Sequence, residues 1–240
     1  MKNLLKAAGT KSNPFSLKEF LSSYRFGLII PLYAAIYLPW FCYLEEKVTK
    51  RYHIIHMAID DYIPFCEVFI IPYFLWFVYM TVSIVLCMVT NKESFFRSFF
   101  FLSCGMTIFL IVSTVFPNGQ HLRPTVFPRD NFLTDMVKKL YSIDTSTNLF
   151  PSIHVYNSIG SHIAIVKNET LRKKKWLKNS SFILCILIIL STIFLKQHSM
   201  FDVLTAIGLA VIMYPIAYKI DYAAWAARKR SAGEKEHAGA

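Results

Sequence analysis

The apolar residues of this chain are gathered into six long blocks rather than spaced as periodic stripes. Polar segments separate the blocks, which cover residues 26–44, 67–89, 97–116, 150–166, 180–195 and 201–219. A helix needs roughly 17–25 mostly apolar residues to cross the hydrocarbon core of a bilayer. The pattern therefore predicts an all-α, polytopic membrane protein with six transmembrane helices in a bundle.

Composition supports the membrane class, because 55% of the residues are hydrophobic and only 17% are charged. Soluble domains carry about a quarter charged residues. Three regions are predicted: a lead-in at 1–25, a transmembrane catalytic domain at 26–219 and a basic tail at 220–240. Ser16 and Glu19 match a capping box, so the lead-in is expected to hold a short interfacial helix.

The net charge of +11 is distributed unevenly along the chain. Six crossings place both termini and two loops on one side, and that side carries most of the Lys and Arg residues. The positive-inside rule makes this side cytoplasmic. The basic excess is thus interpreted as an orientation signal and as attraction to anionic lipids, not as a nucleic-acid footprint. The expected location is the plasma membrane, with the lipid bilayer as the partner and the oligomeric state left open.

Two polar clusters interrupt the apolar pattern where blocks begin. Pro151-Ser152-Ile153-His154 opens the fourth block, and the free amides of a first helical turn with the Ser152 hydroxyl favour an anion. His154 is then placed to give a proton to a group bound there. His198 and Asp202 open the sixth block at a spacing that puts both on one helical face. A carboxylate on the δ N–H of a histidine leaves the ε nitrogen free as a nucleophile.

A third cluster lies in the longest polar stretch, residues 117–149, which is predicted to be a functional loop on the outer side. It contains Gln120, His121 and Arg123, and the planar guanidinium of arginine suits bidentate binding of phosphate. Lys196, two residues before His198, is a further source of positive charge. By the predicted topology, all three clusters meet at the outer membrane surface and predict a phosphate site there.

Other polar and titratable residues have simpler interpretations. Asp60 and Asp61 resemble a metal pair, but the preferred interpretation is that they favour the positive end of the second helix. His162 is expected to be a core histidine. The five cysteines are expected to be packing residues.

These motifs resemble the signature of the type 2 phosphatidic acid phosphatase superfamily of lipid phosphate phosphatases. Arg123-Pro124 matches the first motif, Pro151–His154 the second in full, and His198 with Asp202 the end of the third. The resemblance implies that His198 becomes phosphohistidine, oriented by Asp202, and that His154 serves as acid and then base. Arg123 and Ser152 would hold phosphate oxygens, and no metal or other cofactor is implied.

Two basic residues of that signature are missing here, since Phe116 and Thr192 occupy their positions. The superfamily's phosphotransferases, among them sphingomyelin and inositol phosphorylceramide synthases, also deviate at these positions. Fewer cations favour a monoanionic phosphodiester over a dianionic monoester. Three functions stay open: a lipid phosphatase, a phosphotransferase that moves a headgroup to a lipid hydroxyl, and a non-catalytic protein that binds lipid phosphate.

Overall fold

The computed structural model describes residues 23–48 and 51–220 of the chain, so residues 1–22 of the predicted lead-in and 221–240 of the predicted basic tail lie outside these ranges. The described part contains seven α-helices, numbered here in chain order: α1 Ile29–Lys47, α2 Ile70–Thr90, α3 Lys92–Val115, α4 Phe132–Ile143, α5 Ile153–Lys167, α6 Lys175–Phe194 and α7 Met200–Tyr218. Two short strands, β1 (His53–Ile54) and β2 (Asn118–Gly119), pair in parallel.

Five of these helices, some with a preceding 3₁₀ turn, are long and apolar enough to cross a membrane. They cover Arg25–Lys47, Glu67–Thr90, Lys92–Val115, Lys175–Phe194 and Met200–Tyr218. Their outward side chains are apolar: Leu32 is 67% exposed and Val211 is 68% exposed. Such exposed apolar surface is unusual for a soluble protein and typical of contact with lipid. The predicted all-α polytopic membrane fold is therefore confirmed.

The fourth predicted block forms α5, the central helix of the bundle. It has 15 residues, about 22 Å at 1.5 Å per residue, which is shorter than a typical hydrocarbon core. It packs against α2, α3, α6 and α7, and its polar residues Asn157, Ser158 and Ser161 are fully buried. Gly160 permits this close packing, since a Cβ there would lie 2.8 Å from the ring of Phe101.

Two helices begin earlier than the hydropathy pattern predicts. The side chain of Asn91 accepts a hydrogen bond from the Ser94 amide at 2.8 Å, so α3 starts at Lys92 rather than near residue 97. Helix α6 starts at Lys175 rather than near residue 180. Both helices thus extend into a polar first turn, where long basic side chains keep their charge in water while their stems remain apolar.

The predicted outer loop at 117–149 contains more structure than the sequence indicates. Asn131 caps α4 by accepting from the amides of Leu133 and Thr134, both at 3.0 Å. The apolar face of α4 places Val137 in a buried cluster with Tyr73 and Leu195. A short amphipathic helix has no membrane-length apolar block, which is why the block pattern missed it. As a result, α4 lies across one end of the bundle.

Candidate active site

The two histidines singled out from the sequence lie side by side at this end of the bundle. The ring centroids of His154 and His198 are 5.7 Å apart. Ser152 caps α5 by accepting from the Val155 amide at 3.4 Å, and its own amide donates to the Asp202 carbonyl at 3.3 Å. This last bond ties the start of α5 to the first turn of α7, so the two helices present both rings to the same space.

His198 is buried and is paired with the carboxylate one turn farther along α7. Its Nδ1 lies 3.3 Å from Oδ2 of Asp202, a residue with no exposed surface. The same oxygen accepts from the Ser199 amide at 3.0 Å, and Ser199 caps the helix in return. A carboxylate at Nδ1 favours the tautomer that protonates Nδ1 and leaves Nε2 unprotonated, as a nucleophile requires.

His154 is enclosed by aromatic rings rather than by polar groups. Its imidazole stacks on Tyr73 with ring centroids 4.7 Å apart and lies 4.3 Å from Trp76. Within the described residues, its buried Nδ1 has no hydrogen-bond partner. The aromatic contacts fix the orientation of the ring, which is partly buried and lines an adjacent cavity. A histidine held in this way can exchange a proton with a bound group.

Arg123 contacts Gln197, the residue before His198, and its guanidinium donates to the Gln197 Oε1 at 2.6 Å. The two terminal nitrogens of the guanidinium also donate to main-chain carbonyls of the loop, including those of Asp144 at 2.8 Å and Thr145 at 2.7 Å. Burial lowers the pKa of the Arg123 guanidinium, and the nearby Asp144 carboxylate opposes that shift. The terminal nitrogens therefore already have partners, whereas the buried Nε has none within the described residues.

The other three predicted phosphate ligands have different contacts. Gln120 donates to the Lys196 carbonyl at 2.8 Å and accepts from the Leu122 amide. His121 is exposed and lies beside Tyr52. The Lys196 ammonium donates to the carbonyl of Asp60 at 2.7 Å. Through these contacts Gln120 and Lys196 support the loops around the histidines, and their role as phosphate ligands stays a prediction.

Asp60 holds the start of α7, a role that the sequence analysis missed. Its carboxylate accepts from the Ser199 hydroxyl at 2.5 Å, the Met200 amide at 2.8 Å and the Met57 amide at 2.8 Å. The expectation that Asp60 favours the positive end of the second helix was wrong, because its oxygens face α7. The 3₁₀ turn Ala58–Asp61 brings it there, and no local pattern indicates a contact across 140 positions of the chain.

Asp144 is a second missed acid, and it lies close to the histidines. Its Oδ2 accepts from Gln197 at 3.2 Å and from the Tyr73 hydroxyl at 3.5 Å. Burial raises the pKa of the Asp144 carboxyl, while Arg123 and His198 oppose the shift. The only signal in the sequence is its position at the end of α4, a helix that the block pattern did not predict. Within the described residues, no group of three metal-ligating side chains could hold a metal ion.

No cation stands at the two positions where the signature residues are missing. Phe116 stacks on His53 with ring centroids 4.5 Å apart. Thr192 is buried, its hydroxyl donates to the Ile189 carbonyl at 2.7 Å, and its own carbonyl accepts from the His198 amide at 3.0 Å. Thr192 therefore shapes the turn that carries His198 but adds no charge to it.

A large apolar cleft ends at His154. Its volume is about 1340 Å³, and side chains from α1, α2, α3 and α4 line it together with the first turn of α5. Some lining residues also lie on the outer surface of the bundle, including Leu38 at 55% exposed and Phe77 at 56% exposed. The cleft therefore connects the lipid-facing surface between α1 and α2 with His154, whose ring lies beside that of His198.

Comparison with known proteins identifies one family. The family model described as the PAP2 superfamily matches residues 98–226, which is more than half of the chain. The matched segment contains Arg123, His154, His198 and Asp202. Neither the curated proteins nor the solved structures include a match.

Proposed function

Because the chain belongs to the PAP2 superfamily, we propose that it is a lipid phosphatase that acts through a phosphohistidine on His198. The observation that carries this proposal is the 5.7 Å separation of the two imidazoles, with Asp202 on Nδ1 of one of them. One phosphorus atom between the rings would be within reach of a nucleophile and of a proton donor. The apolar cleft that ends at His154 suits a substrate carried by a lipid.

The reaction runs in two steps that use the same two rings. Nε2 of His198 attacks phosphorus in line, forming an N–P bond while the bond to the leaving oxygen breaks. His154 gives its proton to that oxygen and the lipid alcohol departs. A water then loses a proton to His154 and attacks phosphorus, the N–P bond breaks, and phosphate leaves.

Three features of the site stabilise the charges that develop. Asp202 faces the positive charge that the His198 ring acquires on attack. Because Asp202 has no exposed surface, solvent screens this interaction only weakly. The positive end of α5, capped by Ser152, favours the anionic phosphoryl oxygens. Arg123 adds a cation beside the nucleophile through Gln197.

The test is phosphate release by His198→Ala and His154→Ala proteins from phosphatidate and polyprenyl phosphates. We expect both variants to lose activity by at least about 1000-fold, because the nucleophile or the proton donor is gone. His162→Ala is the matched control: this histidine lies on the same helix as His154 but contacts Ser181 at 3.0 Å. Full activity in either test variant would remove the mechanism.

A headgroup phosphotransferase is the second candidate, and one observation favours it. Phe116 and Thr192 stand where the superfamily signature has a lysine and an arginine, and neither contributes charge. A site with fewer cations is better matched to a monoanionic diester than to a dianionic monoester. An assay with a phosphodiester lipid as donor and a ceramide as acceptor distinguishes the two: a phosphotransferase moves the phospho-headgroup to the ceramide hydroxyl and makes a new phospholipid, whereas a phosphatase that acts on monoesters makes none.

The proposed orientation places the histidine pair on the outer side of the plasma membrane, with both termini in the cytoplasm. The distribution of Lys and Arg supports it. Single cysteines introduced at Asp130 and at Lys174, in a protein free of other cysteines, would test it in intact cells. We expect a membrane-impermeant maleimide to label the cysteine at position 130 and not the one at 174; the reverse pattern would invert the topology.

A further inference from the structure

Negative charge exceeds positive charge where the cleft approaches the histidines. Glu45 and Asp144 both line the cleft, and their charges interact with each other and with Arg123. One lysine, Lys139, also lines the cleft, but so do the acids Glu46 and Asp135, so the lining remains acidic. Lys196 does not offset the acids, since its ammonium contacts the Asp60 carbonyl. Two carboxylates therefore face one guanidinium whose terminal nitrogens already have partners.

This arrangement is poorly suited to a dianionic phosphate monoester that carries no cation. A second negative charge on the phosphate would face Glu45 and Asp144 in a partly buried space, where repulsion is weakly screened. Neighbouring residues hold both carboxylates in place: Glu45 accepts from Thr145 at 2.5 Å and from Asn148 at 2.9 Å. The two carboxylates thus form a fixed acidic region of the cleft, and a substrate that carries a cation near its phosphate would complement it.

The walls of the cleft near these acids are aromatic. Tyr37, Phe41 and Glu45 follow one another at four-residue spacing along α1, and all three line the cleft. Across the cleft, α2 contributes Tyr73 and Trp76. Aromatic faces next to carboxylates favour organic ammonium groups, which gain from cation–π contact as well as from ion pairing. Deeper in the cleft, the lining is apolar and suits a hydrocarbon chain.

From the charge and the shape of this cleft we propose that its occupant is a phosphodiester lipid with an ammonium headgroup. One acyl chain lies between α1 and α2, the ammonium lies by Glu45 and Asp144, and the phosphate faces the histidine pair. In the reaction, the N–P bond to His198 forms while the bond from phosphorus to the glyceride oxygen breaks, and His154 protonates that oxygen. The phospho-headgroup then passes from His198 to water or to a lipid hydroxyl, which gives its proton to His154 as the N–P bond breaks. This assignment rests on the proposed phosphohistidine mechanism and names the donor lipid of its phosphotransferase candidate.

Soluble chromogenic substrates test the headgroup without the chain. We expect p-nitrophenyl phosphorylcholine to have a kcat/KM about tenfold above that of p-nitrophenyl phosphate, because only the former places a cation beside the acids. Glu45→Gln and Asp144→Asn should each reduce this ratio several-fold, whereas Asp130→Asn, the same change on an acid that does not line the cleft, should not. A ratio measured on one preparation does not depend on the folded fraction. Equal ratios in all four proteins would overturn the headgroup assignment.

A bulky side chain in the cleft tests the position of the acyl chain. Ala34→Trp fills the cleft from α1, and Leu32→Trp is the matched control because Leu32 faces lipid on the same helix and does not line the cleft. We expect Ala34→Trp to lose turnover of phosphatidylcholine by about tenfold or more while keeping turnover of p-nitrophenyl phosphorylcholine. An unchanged rate on the long-chain lipid would overturn the placement of the chain.

A binding measurement separates this inference from the proposed function. The His198→Ala protein, taken from vesicles with equal parts of phosphatidylethanolamine, phosphatidylglycerol and phosphatidate, would be examined by native mass spectrometry. Enrichment of phosphatidylethanolamine supports the ammonium site even if no lipid is turned over, in which case only the catalytic proposal fails. Equal binding of the three lipids, or a preference for phosphatidate, would overturn the ammonium site even if catalysis is established.

Discussion

Replacing Asp202 by asparagine separates two contributions that this carboxylate makes to His198. In the structure, Oδ2 receives both the Nδ1 contact at 3.3 Å and the Ser199 amide at 3.0 Å, while Oδ1 is buried and has no partner within the described residues. An asparagine can therefore put its single oxygen in the place of Oδ2. The favoured tautomer of His198 and the cap of α7 would then both be kept, and only the negative charge would be lost.

The magnitude follows from the charge that the ring acquires when it is phosphorylated. Unit charges about 4 Å apart interact by about 4 kcal/mol at an effective dielectric constant near 20. Every 1.36 kcal/mol in the barrier is a factor of ten in rate, so the loss corresponds to a fall in kcat of about 1000-fold. Asp202→Ala should fall further, since the oriented tautomer is lost as well.

The assay is single-turnover transfer of the phosphoryl group, with thermal unfolding of each variant measured alongside. The Asn variant should unfold close to the wild-type temperature because the helix cap is retained, whereas the Ala variant should lose about 1 kcal/mol with its cap. A kcat for Asp202→Asn within a few-fold of wild type would refute the reasoning, since no charge stabilisation would then be exerted through Nδ1.

Three further substitutions test residues that position or pack the elements around the two histidines. Asp60→Ala removes two hydrogen bonds at the start of α7 and one to the Met57 amide. We expect kcat to fall at least about tenfold with KM little changed, because the bonds to α7 position His198 rather than the lipid, and activity regained in Asp60→Glu would distinguish positioning from global damage. Gly105→Ala puts a Cβ at 2.0 Å from the ring of Tyr156 and should destabilise the protein by about 1–3 kcal/mol in thermal unfolding; a wild-type melting temperature would contradict this packing. Arg123→Lys keeps the charge but cannot reproduce the four donor contacts made by the fork, so activity should drop by about tenfold or more, and wild-type rates would show that charge alone suffices.

The apolar blocks predicted the membrane fold because the bilayer imposes helix length directly on the sequence. The clusters around His154 and His198 stood out for the same reason, since polar residues at the ends of apolar helices are costly without a function. Their convergence was expected from topology alone, and the structure brings the two rings to 5.7 Å.

Other parts of the site depend on contacts that no sequence pattern carries. Asp60 reaches α7 from a short 3₁₀ turn, and Asp144 follows an amphipathic helix that is too short to register as a membrane block. The partner of Lys196 could not be predicted either, because the direction of its side chain follows from a left-handed backbone conformation at φ 52°. Each of these features is set by tertiary packing between segments far apart in the chain.

The most direct test of the account is to trap the phosphoryl group on the enzyme. Protein mixed briefly with lipid substrate labelled in its phosphate would be quenched in alkali, which preserves phosphohistidine, and digested for mass mapping. We expect label on the peptide that contains His198, lost on treatment with acid and absent from His198→Ala. Label on any other residue, or turnover of the lipid with no labelled protein at the shortest times, would contradict it.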